Sequence, residues 1–249
     1  MSGLLKPDWQ LPRGVRAVMT TRHGAPGTST GAYAAFNLGT HVGDDPIAVA
    51  TNRRALVKAL DVERIAWLNQ VHGREVMDAA RVGSESPPAD ASFSRTANVA
   101  CVVMVADCVP VLFAATDGGC VAAAHAGWRG LADGVLSATL AAMSQGAESR
   151  EETRVTAWIG PTISARQYEV DEVVRAAFAK VDHAHFRASR PGHYWLDLAA
   201  LAESQLLRCG VAEVSRAGIC VFERDDVFYS HRRDGTTGRC AALIWRTSL

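Results

Sequence analysis

The sequence lacks the features that mark secreted, membrane-spanning and disulfide-linked chains. Its first residues contain no apolar segment of the kind that signal peptides carry, and no apolar run approaches the roughly 20 residues that cross a bilayer. The six cysteines form no C-x-x-C pair and lie mostly in apolar surroundings, which favours reduced thiols over a disulfide framework. We therefore expect a cytoplasmic protein without a membrane partner.

A net charge is also lacking. Lys+Arg and Asp+Glu both number 26, so the overall charge favours neither nucleic acid nor a membrane surface as a partner. A charged substrate would have to be recognised by a local cluster of side chains. We find no internal repeat, low-complexity stretch or domain linker. The 249 residues are 48% hydrophobic and 21% charged, which is typical of a globular enzyme, and we predict one domain over residues 1–249.

Apolar patterns alternate between strand and helix along the chain. Asp45, Asp171 and Asp197 are predicted to cap helices, and a further helix, apolar on two stripes, follows His125. The helix from Asp171 is expected to continue as far as Val181. Loops are predicted at 24–31 and 84–88. Strands are predicted at 15–20, 65–68, 99–105, 120–124, 155–159, 228–231 and 241–245, with a turn over 232–239 joining the last two. The pattern indicates a mixed α and β domain with several buried strands.

Three side chains with soft donor atoms follow predicted buried strands: His72, Cys108 and His125. Thiolate and imidazole are preferred zinc ligands, and catalytic zinc sites use three protein ligands and leave one position open. A Cys-His-His set with no obvious fourth ligand therefore favours a catalytic metal site. The spacing leaves a second interpretation open, because it matches no local zinc signature. In that interpretation Cys108 is a buried core thiol and each histidine is an ordinary hydrogen-bonded residue.

Polar side chains near these residues are candidates for substrate binding. Arg129 lies in the turn before a helix, whose N-terminus can face an anion. Arg232 and Arg233 form a cationic pair, and arginine forks suit phosphate and carboxylate. Arg22 borders the loop at 24–31. For each arginine the alternative is an ordinary solvated charge. Asp107 either orients a ligand or simply ends a strand.

Four segments carry a resemblance to a known family: NQVHG at 69–73, ADCVP at 106–110, HAGWRG at 125–130 and RRDGTTGR at 232–239. Together they resemble the YfiH-like proteins, also called the polyphenol oxidase or laccase-domain family and purine nucleoside phosphorylases. Shorter matches extend the resemblance over nearly the whole chain, at 20–22, 37–39, 42–45, 52–53 and 159–161. The chain departs from the family at 22–26, where a Gly-Gly pair is usual, and at 230–231, where an aromatic residue is common.

The resemblance implies an α+β fold, a single domain of mixed β-sheets flanked by helices. It implies that His72, Cys108 and His125 are metal ligands and catalytic residues, with zinc as the cofactor and copper as the alternative. The implied partners are phosphate and purine nucleosides, with phosphorolysis of adenosine, inosine, guanosine and methylthioadenosine and deamination of adenosine. Substrate contacts are expected at Arg22, Asn37, Gln70, Asp107, Arg129, Arg232 and Arg233.

Other functions stay open at this stage. A laccase-like multicopper oxidase needs many histidines in H-x-H pairs, whereas this chain has eight histidines and one such pair, His183-Ala-His185. A cysteine hydrolase would use Cys108 as nucleophile and His125 or His72 as base. The zinc deaminase signature, H-x-E with P-C-x-x-C, is absent. A non-enzymatic cell-wall role, as a peptidoglycan editing factor, is the remaining alternative.

Overall fold

The computed structural model describes residues 3–24, 27–145 and 154–248. Residues 25 and 26 of the loop predicted at 24–31 lie outside the described residues. These described residues contain fourteen strands: β1 (Leu4–Leu5), β2 (Val15–Thr20), β3 (Arg64–Ala66), β4 (Val76–Asp78), β5 (Ala91–Ser94), β6 (Val99–Val105), β7 (Val109–Ala115), β8 (Val121–Ala126), β9 (Val155–Ile159), β10 (Glu169–Asp171), β11 (Phe186–Ala188), β12 (His193–Leu196), β13 (Glu213–Arg216) and β14 (Cys240–Arg246). The α-helices described there are α1 (Pro46–Leu60), α2 (Trp128–Asp133), α3 (Val135–Ser144), α4 (Glu172–Ala176), α5 (Leu198–Arg208) and α6 (His231–Asp234).

The strands form three sheets. A five-stranded sheet has the order β1-β2-β14-β6-β3, and a six-stranded sheet has the order β13-β9-β7-β8-β5-β4. The small third sheet has the order β10-β12-β11. The consecutive strands β6 and β7 belong to different sheets, so the chain crosses from one sheet to the other at residues 106–108. The candidate ligand Cys108 lies at this crossing.

The hydrophobic core lies in three layers between and outside the two large sheets. Alternate residues of β6, such as Val103, pack against β7 and β8 residues such as Leu112 in the layer between the sheets. The outer face of the five-stranded sheet is covered by α1 through Leu56. The outer face of the six-stranded sheet is covered by α2, α3 and α5. Strands buried on both faces have no polar face, which explains the continuous apolar runs of β6 and β7.

The predicted fold class is confirmed: the chain is a mixed α and β structure with several sheets flanked by helices. The predicted N-caps are also confirmed, since the carboxylates of Asp45, Asp171 and Asp197 accept hydrogen bonds from first-turn amides. None of the helices in the described ranges is long and apolar enough to cross a bilayer. The cytoplasmic location and the extent of the domain, 1–249, stay predictions.

Three predicted elements differ in the structure. The strand predicted at 228–231 is wrong, because the hydroxyl of Ser230 accepts a hydrogen bond from the Arg233 amide and begins helix α6 instead. The helix from Asp171 ends at Ala176, and Val181 lies on a following 3-10 turn with 62% of its surface exposed. The helix after His125 is split into α2 and α3 at residue 134, a glycine in the left-handed conformation.

Candidate metal centre

The three candidate ligands come from three different places in the fold. His72 lies in the loop that follows β3, and its backbone adopts a left-handed conformation with φ 61°. Cys108 lies between β6 and β7, and His125 lies within β8, where it pairs with Pro110 of β7. His125 is 3% exposed, Cys108 is half-buried and His72 is exposed. The set therefore spans the boundary between the core and the surface.

The structure brings these three side chains together. Their donor atoms all lie within 4.8 Å of one another. The two imidazole rings meet edge to face at an interplanar angle of 78°. Within 3–24, 27–145 and 154–248, no other group of three His, Cys, Asp or Glu side chains is arranged to hold a metal ion. The predicted Cys-His-His convergence is thus present as a candidate metal site.

Asp90 contacts two of the candidate ligands and was not selected by the sequence analysis. It is fully buried between two of the ligands. Its Oδ1 accepts hydrogen bonds from the His125 ring at Nδ1, over 2.8 Å, and from the His72 amide, over 3.0 Å. No sequence pattern near Asp90 reveals this role, because its partners lie in segments that only the folded sheets bring beside it.

Charges in the site favour the thiolate form of Cys108. Burial raises the pKa of the Cys108 thiol, but the charge of His125 and hydrogen bonds from both histidines outweigh burial and lower it to about 6. Burial lowers the pKa of His125, but the Cys108 thiolate and Asp90 outweigh burial and raise it to about 9. Burial also disfavours an ionised Asp90, yet its hydrogen bond with His125 keeps the pKa of Asp90 below its ordinary value. Cys108 is therefore a thiolate near neutral pH, the form that binds a metal.

A cavity of about 330 Å³ opens beside the three candidate ligands. Arginines provide most of its charged lining, and Asp107 is its single carboxylate among the described residues. The aromatic and polar lining includes His41, Gln70, Trp128, Arg129, Tyr168, His231, Arg232 and Arg239. Three guanidinium groups around one cavity make it a suitable place for an anion such as phosphate.

Two of these arginines are held against aromatic rings. The guanidinium of Arg129 lies over the Trp128 ring at 4.4 Å, and that of Arg232 lies over the Tyr168 ring at 4.8 Å. A cation over a ring face is stabilised by the quadrupole of the ring. Arg232 also donates from Nη1 to the Glu169 carbonyl oxygen. Both cations are thus oriented before any ligand binds.

Asp107 positions one wall of the cavity. Its carboxylate accepts hydrogen bonds from the Ser230 hydroxyl and from the Arg232 amide, both over 2.6 Å. Burial raises the pKa of Asp107. Its carbonyl oxygen accepts hydrogen bonds from Thr162 and Ile163. The side chain of Asp107 therefore fixes the start of helix α6, which carries Arg232, rather than directing Cys108.

The remaining predicted substrate residues have structural partners. The Gln70 amide lines the cavity, but it pairs with the backbone N–H and C=O of Met104. Arg22, Asn37 and Arg233 are not part of the cavity lining. Arg22 donates to the carbonyl oxygens of residues 34 and 225, and Arg233 to those of residues 221, 222 and 228. Asn37 is buried and accepts from the Arg239 amide, so it supports a cavity residue from behind.

His41, Tyr168 and Arg239 also line the cavity, although the sequence analysis did not select them. Burial and the charge of Arg239 lower the pKa of His41, which keeps its imidazole neutral. His41 lies between two segments, 37–39 and 42–45, that carry the family resemblance. This position next to the matched segments was the sequence signal that could have identified it.

Residues 16–247 match the sequence profile of the family described as "Multi-copper polyphenol oxidoreductase laccase". The chain belongs to this family. The resemblance to YfiH-like proteins is thereby confirmed over nearly the full length of the chain.

Relatives in the family carry the name purine nucleoside phosphorylase. One from Pseudomonas aeruginosa is 44% identical over 98% of this chain and 99% of its own length. "Purine nucleoside phosphorylase YfiH" from Escherichia coli is 42% identical with the same coverage. Among solved structures, a Neisseria meningitidis protein has a TM-score of 0.93 at 45% identity, covering 99% of this chain and 100% of that chain. YlmD from Geobacillus stearothermophilus has a TM-score of 0.88 at 34% identity, covering 99% and 97% of the two chains.

The donor set fits a metal of the zinc or copper type. It contains one thiol that favours ionisation and two imidazoles, which are the ligands that both metals accept. The hydrogen bond from Nδ1 of His125 to Asp90 leaves Nε2 as its ligand atom. The one H-x-H pair in the sequence does not contribute to this donor set, because His183 hydrogen-bonds to the carbonyl oxygens of residues 175 and 178.

Proposed function

We propose that this protein is a zinc-dependent purine nucleoside phosphorylase that cleaves adenosine, inosine, guanosine and methylthioadenosine with phosphate and also deaminates adenosine. The observation that carries the proposal is the single cavity that three arginines and the Cys-His-His group line together. The names of the relatives support the same reaction class. A cavity of about 330 Å³ also suits a small-molecule substrate.

His72, Cys108 and His125 would hold the zinc ion. Zinc bound there would act as a Lewis acid and would lower the pKa of a coordinated water towards about 7. The thiolate and the two imidazoles leave one coordination position open. In this proposal the three side chains belong to the catalytic machinery, and replacement of any one of them abolishes turnover.

Arg129 and Arg232 are the proposed phosphate-binding residues. In phosphorolysis a phosphate oxygen forms a bond to C1′ of the ribose, the C1′–N9 bond breaks, and its electron pair leaves with the purine. The guanidinium groups neutralise and orient phosphate so that an oxygen can approach C1′. Because each is already stacked on an aromatic ring, little side-chain entropy is lost on binding.

The role of Arg232 is tested by phosphate kinetics. The Arg232→Ala protein should need at least about tenfold more phosphate for half-maximal rate, since one charge-assisted contact contributes roughly 1.5–3 kcal/mol. Arg175→Ala is the matched control, because Arg175 also lies over a tyrosine ring at 4.8 Å, that of Tyr194, but outside the cavity. Equal KM values for phosphate in both variants would remove Arg232 from the phosphate site.

Cys108→Ala tests the catalytic assignment. It removes the one thiol ligand, so zinc content and phosphorolysis should disappear together, while circular dichroism remains that of a folded protein. Purine release by metal-free Cys108→Ala at the wild-type rate would contradict the proposed roles. Inosine formed from adenosine in the absence of phosphate, measured on the same samples, tests the proposed deaminase activity.

One observation favours a second candidate, a cysteine hydrolase. Asp90, His125 and Cys108 are linked in the order carboxylate, imidazole and thiolate, the arrangement of a catalytic triad. His72 has no part in such a triad, whereas it completes a metal site. Alkylation of Cys108 separates the two: zinc should protect the thiol in a metal site, and equal alkylation with and without zinc would favour the hydrolase.

Copper-dependent oxidation, which the family description names, is a weaker candidate than phosphorolysis. A multicopper cluster needs several imidazole sites, and the described residues offer one group with two histidines. Metal analysis of protein purified without added copper should find zinc. Near-stoichiometric copper together with phenol turnover would replace the phosphorylase proposal by an oxidase.

A further inference from the structure

We propose that Asp90 is the positioning residue that assembles the metal site, because its one carboxylate holds both histidine ligands. The inference rests on the proposed metal site, but not on which reaction occurs there.

All four hydrogen bonds to the Asp90 carboxylate come from the two histidine segments. Oδ1 accepts from the His72 amide over 3.0 Å and from Nδ1 of His125 over 2.8 Å. Oδ2 accepts from the Val71 amide over 3.0 Å and from the Gly73 amide over 2.7 Å. The carbonyl oxygen of Asp90 accepts from the His125 amide over 2.7 Å. With the side chain 0% exposed, water does not compete for these contacts.

The first consequence concerns the conformation of His72. This residue is exposed and adopts φ 61°, which is costly for a residue with a Cβ and persists only where surrounding contacts impose it. Three consecutive amides, those of 71, 72 and 73, converge on the Asp90 carboxylate and form an anion-binding nest. Asp90 therefore stabilises the turn that directs the His72 side chain towards Cys108.

The second consequence concerns the ring of His125. Its Nδ1 donates to Asp90, so Nε2 is the ring nitrogen on the side of the donor group, and a metal ion that binds there takes the place of its proton. A carboxylate behind a ligating histidine fixes the tautomer and ring orientation and makes the imidazole more basic. One anion thus sets the backbone of one ligand and the ring of another.

Asp90→Asn tests this role because asparagine has nearly the same size and shape as aspartate. An amide offers one acceptor oxygen, whereas the present contacts use two. Its NH₂ group would face N–H donors at the second position and could not accept from them. Asp90→Asn should therefore displace the 71–73 turn or release His125, while the fold of the sheets persists.

The measurement is zinc affinity, by competition with a chromophoric chelator, in wild type, Asp90→Asn and Asp182→Asn. Asp182 is the matched control, a carboxylate 4% exposed that bonds to Arg208 and Gln205 away from the cavity. Asp90→Asn should bind zinc about 10- to 100-fold more weakly than wild type. Asp182→Asn should lose stability to urea but keep wild-type zinc affinity. Folded Asp90→Asn with wild-type zinc affinity would overturn the inference.

A second measurement needs no variant, in case Asp90→Asn does not fold. In ¹⁵N-histidine spectra of zinc-loaded wild type, His125 should have a protonated Nδ1 and a metal-bound Nε2. Zinc on Nδ1 of His125 would overturn the role of Asp90. Wild type that binds no zinc would overturn the metal site and this inference together, and zinc binding without phosphorolysis would overturn the proposed reaction alone.

Discussion

A methyl group at residue 127 should press directly on the proposed ligands. Gly127 has φ −72° and ψ 167°, a conformation that alanine adopts without strain. A Cβ placed there would lie 3.0 Å from Cδ2 of His72 and 3.1 Å from Sγ of Cys108. Ordinary contacts between such atoms are about 3.5–4.0 Å, so we expect Gly127→Ala to displace the two ligands by a few tenths of an ångström.

The size of the effect follows from the cost of overpacking, about 1–3 kcal/mol for an added methyl group in a packed site. If that cost falls on the ligands, zinc affinity drops roughly 5- to 150-fold, at about 1.4 kcal/mol for each factor of ten. Chelator competition measures it, with Gly83→Ala as the control because a Cβ there meets no atom within 4 Å. Wild-type zinc affinity in folded Gly127→Ala would refute the assigned ligand geometry.

Three further outcomes follow from the structure. Iodoacetamide should alkylate Cys108 of the metal-free protein quickly at about pH 8 and slowly at about pH 5, since protonation below its pKa of about 6 removes the thiolate. Peptide mass spectrometry measures the alkylation rate, and a rate that does not change with pH would contradict the prediction. Ser230→Ala removes the hydroxyl that binds Asp107 and caps α6, so the KM for phosphate should rise while the zinc affinity measured by chelator competition stays unchanged. An unchanged KM for phosphate would contradict this role of Ser230. Leu56→Ala leaves a cavity between α1 and the five-stranded sheet, so the free energy of unfolding in urea should fall by about 2–5 kcal/mol. A decrease below about 1 kcal/mol would show that α1 packs differently.

Local signals explain which parts of the fold were predictable. The N-cap at Asp45 and strand β6 depend on residues that are adjacent in the sequence, and both are present in the structure. Ser230 competes with the apolar pattern of its neighbours by capping α6, so the strand predicted at 228–231 does not form. Strand β7 was not predicted, although its Val109–Ala115 run is as apolar as that of β6. Pro110 interrupts the strand pattern, since proline within a run argues against a central strand.

The site shows the same division between local and long-range information. The family motifs identified His72, Cys108 and His125, and the fold brings these three together. The motifs did not separate Arg232, which faces the cavity, from Arg233, which holds backbone carbonyl oxygens. The role of Asp90 was not predictable, since its partners in the 71–73 turn are amides, which any sequence would supply. Only the tertiary fold shows which carboxylate those amides meet.

The most direct test of the central claim is the reaction of zinc-loaded protein with inosine in the presence and absence of phosphate. We predict hypoxanthine and ribose 1-phosphate in equal amounts, formed only with phosphate, lost when a chelator removes the metal and restored by added zinc. Hypoxanthine release that does not need phosphate, or that persists after the metal is removed, would contradict the account.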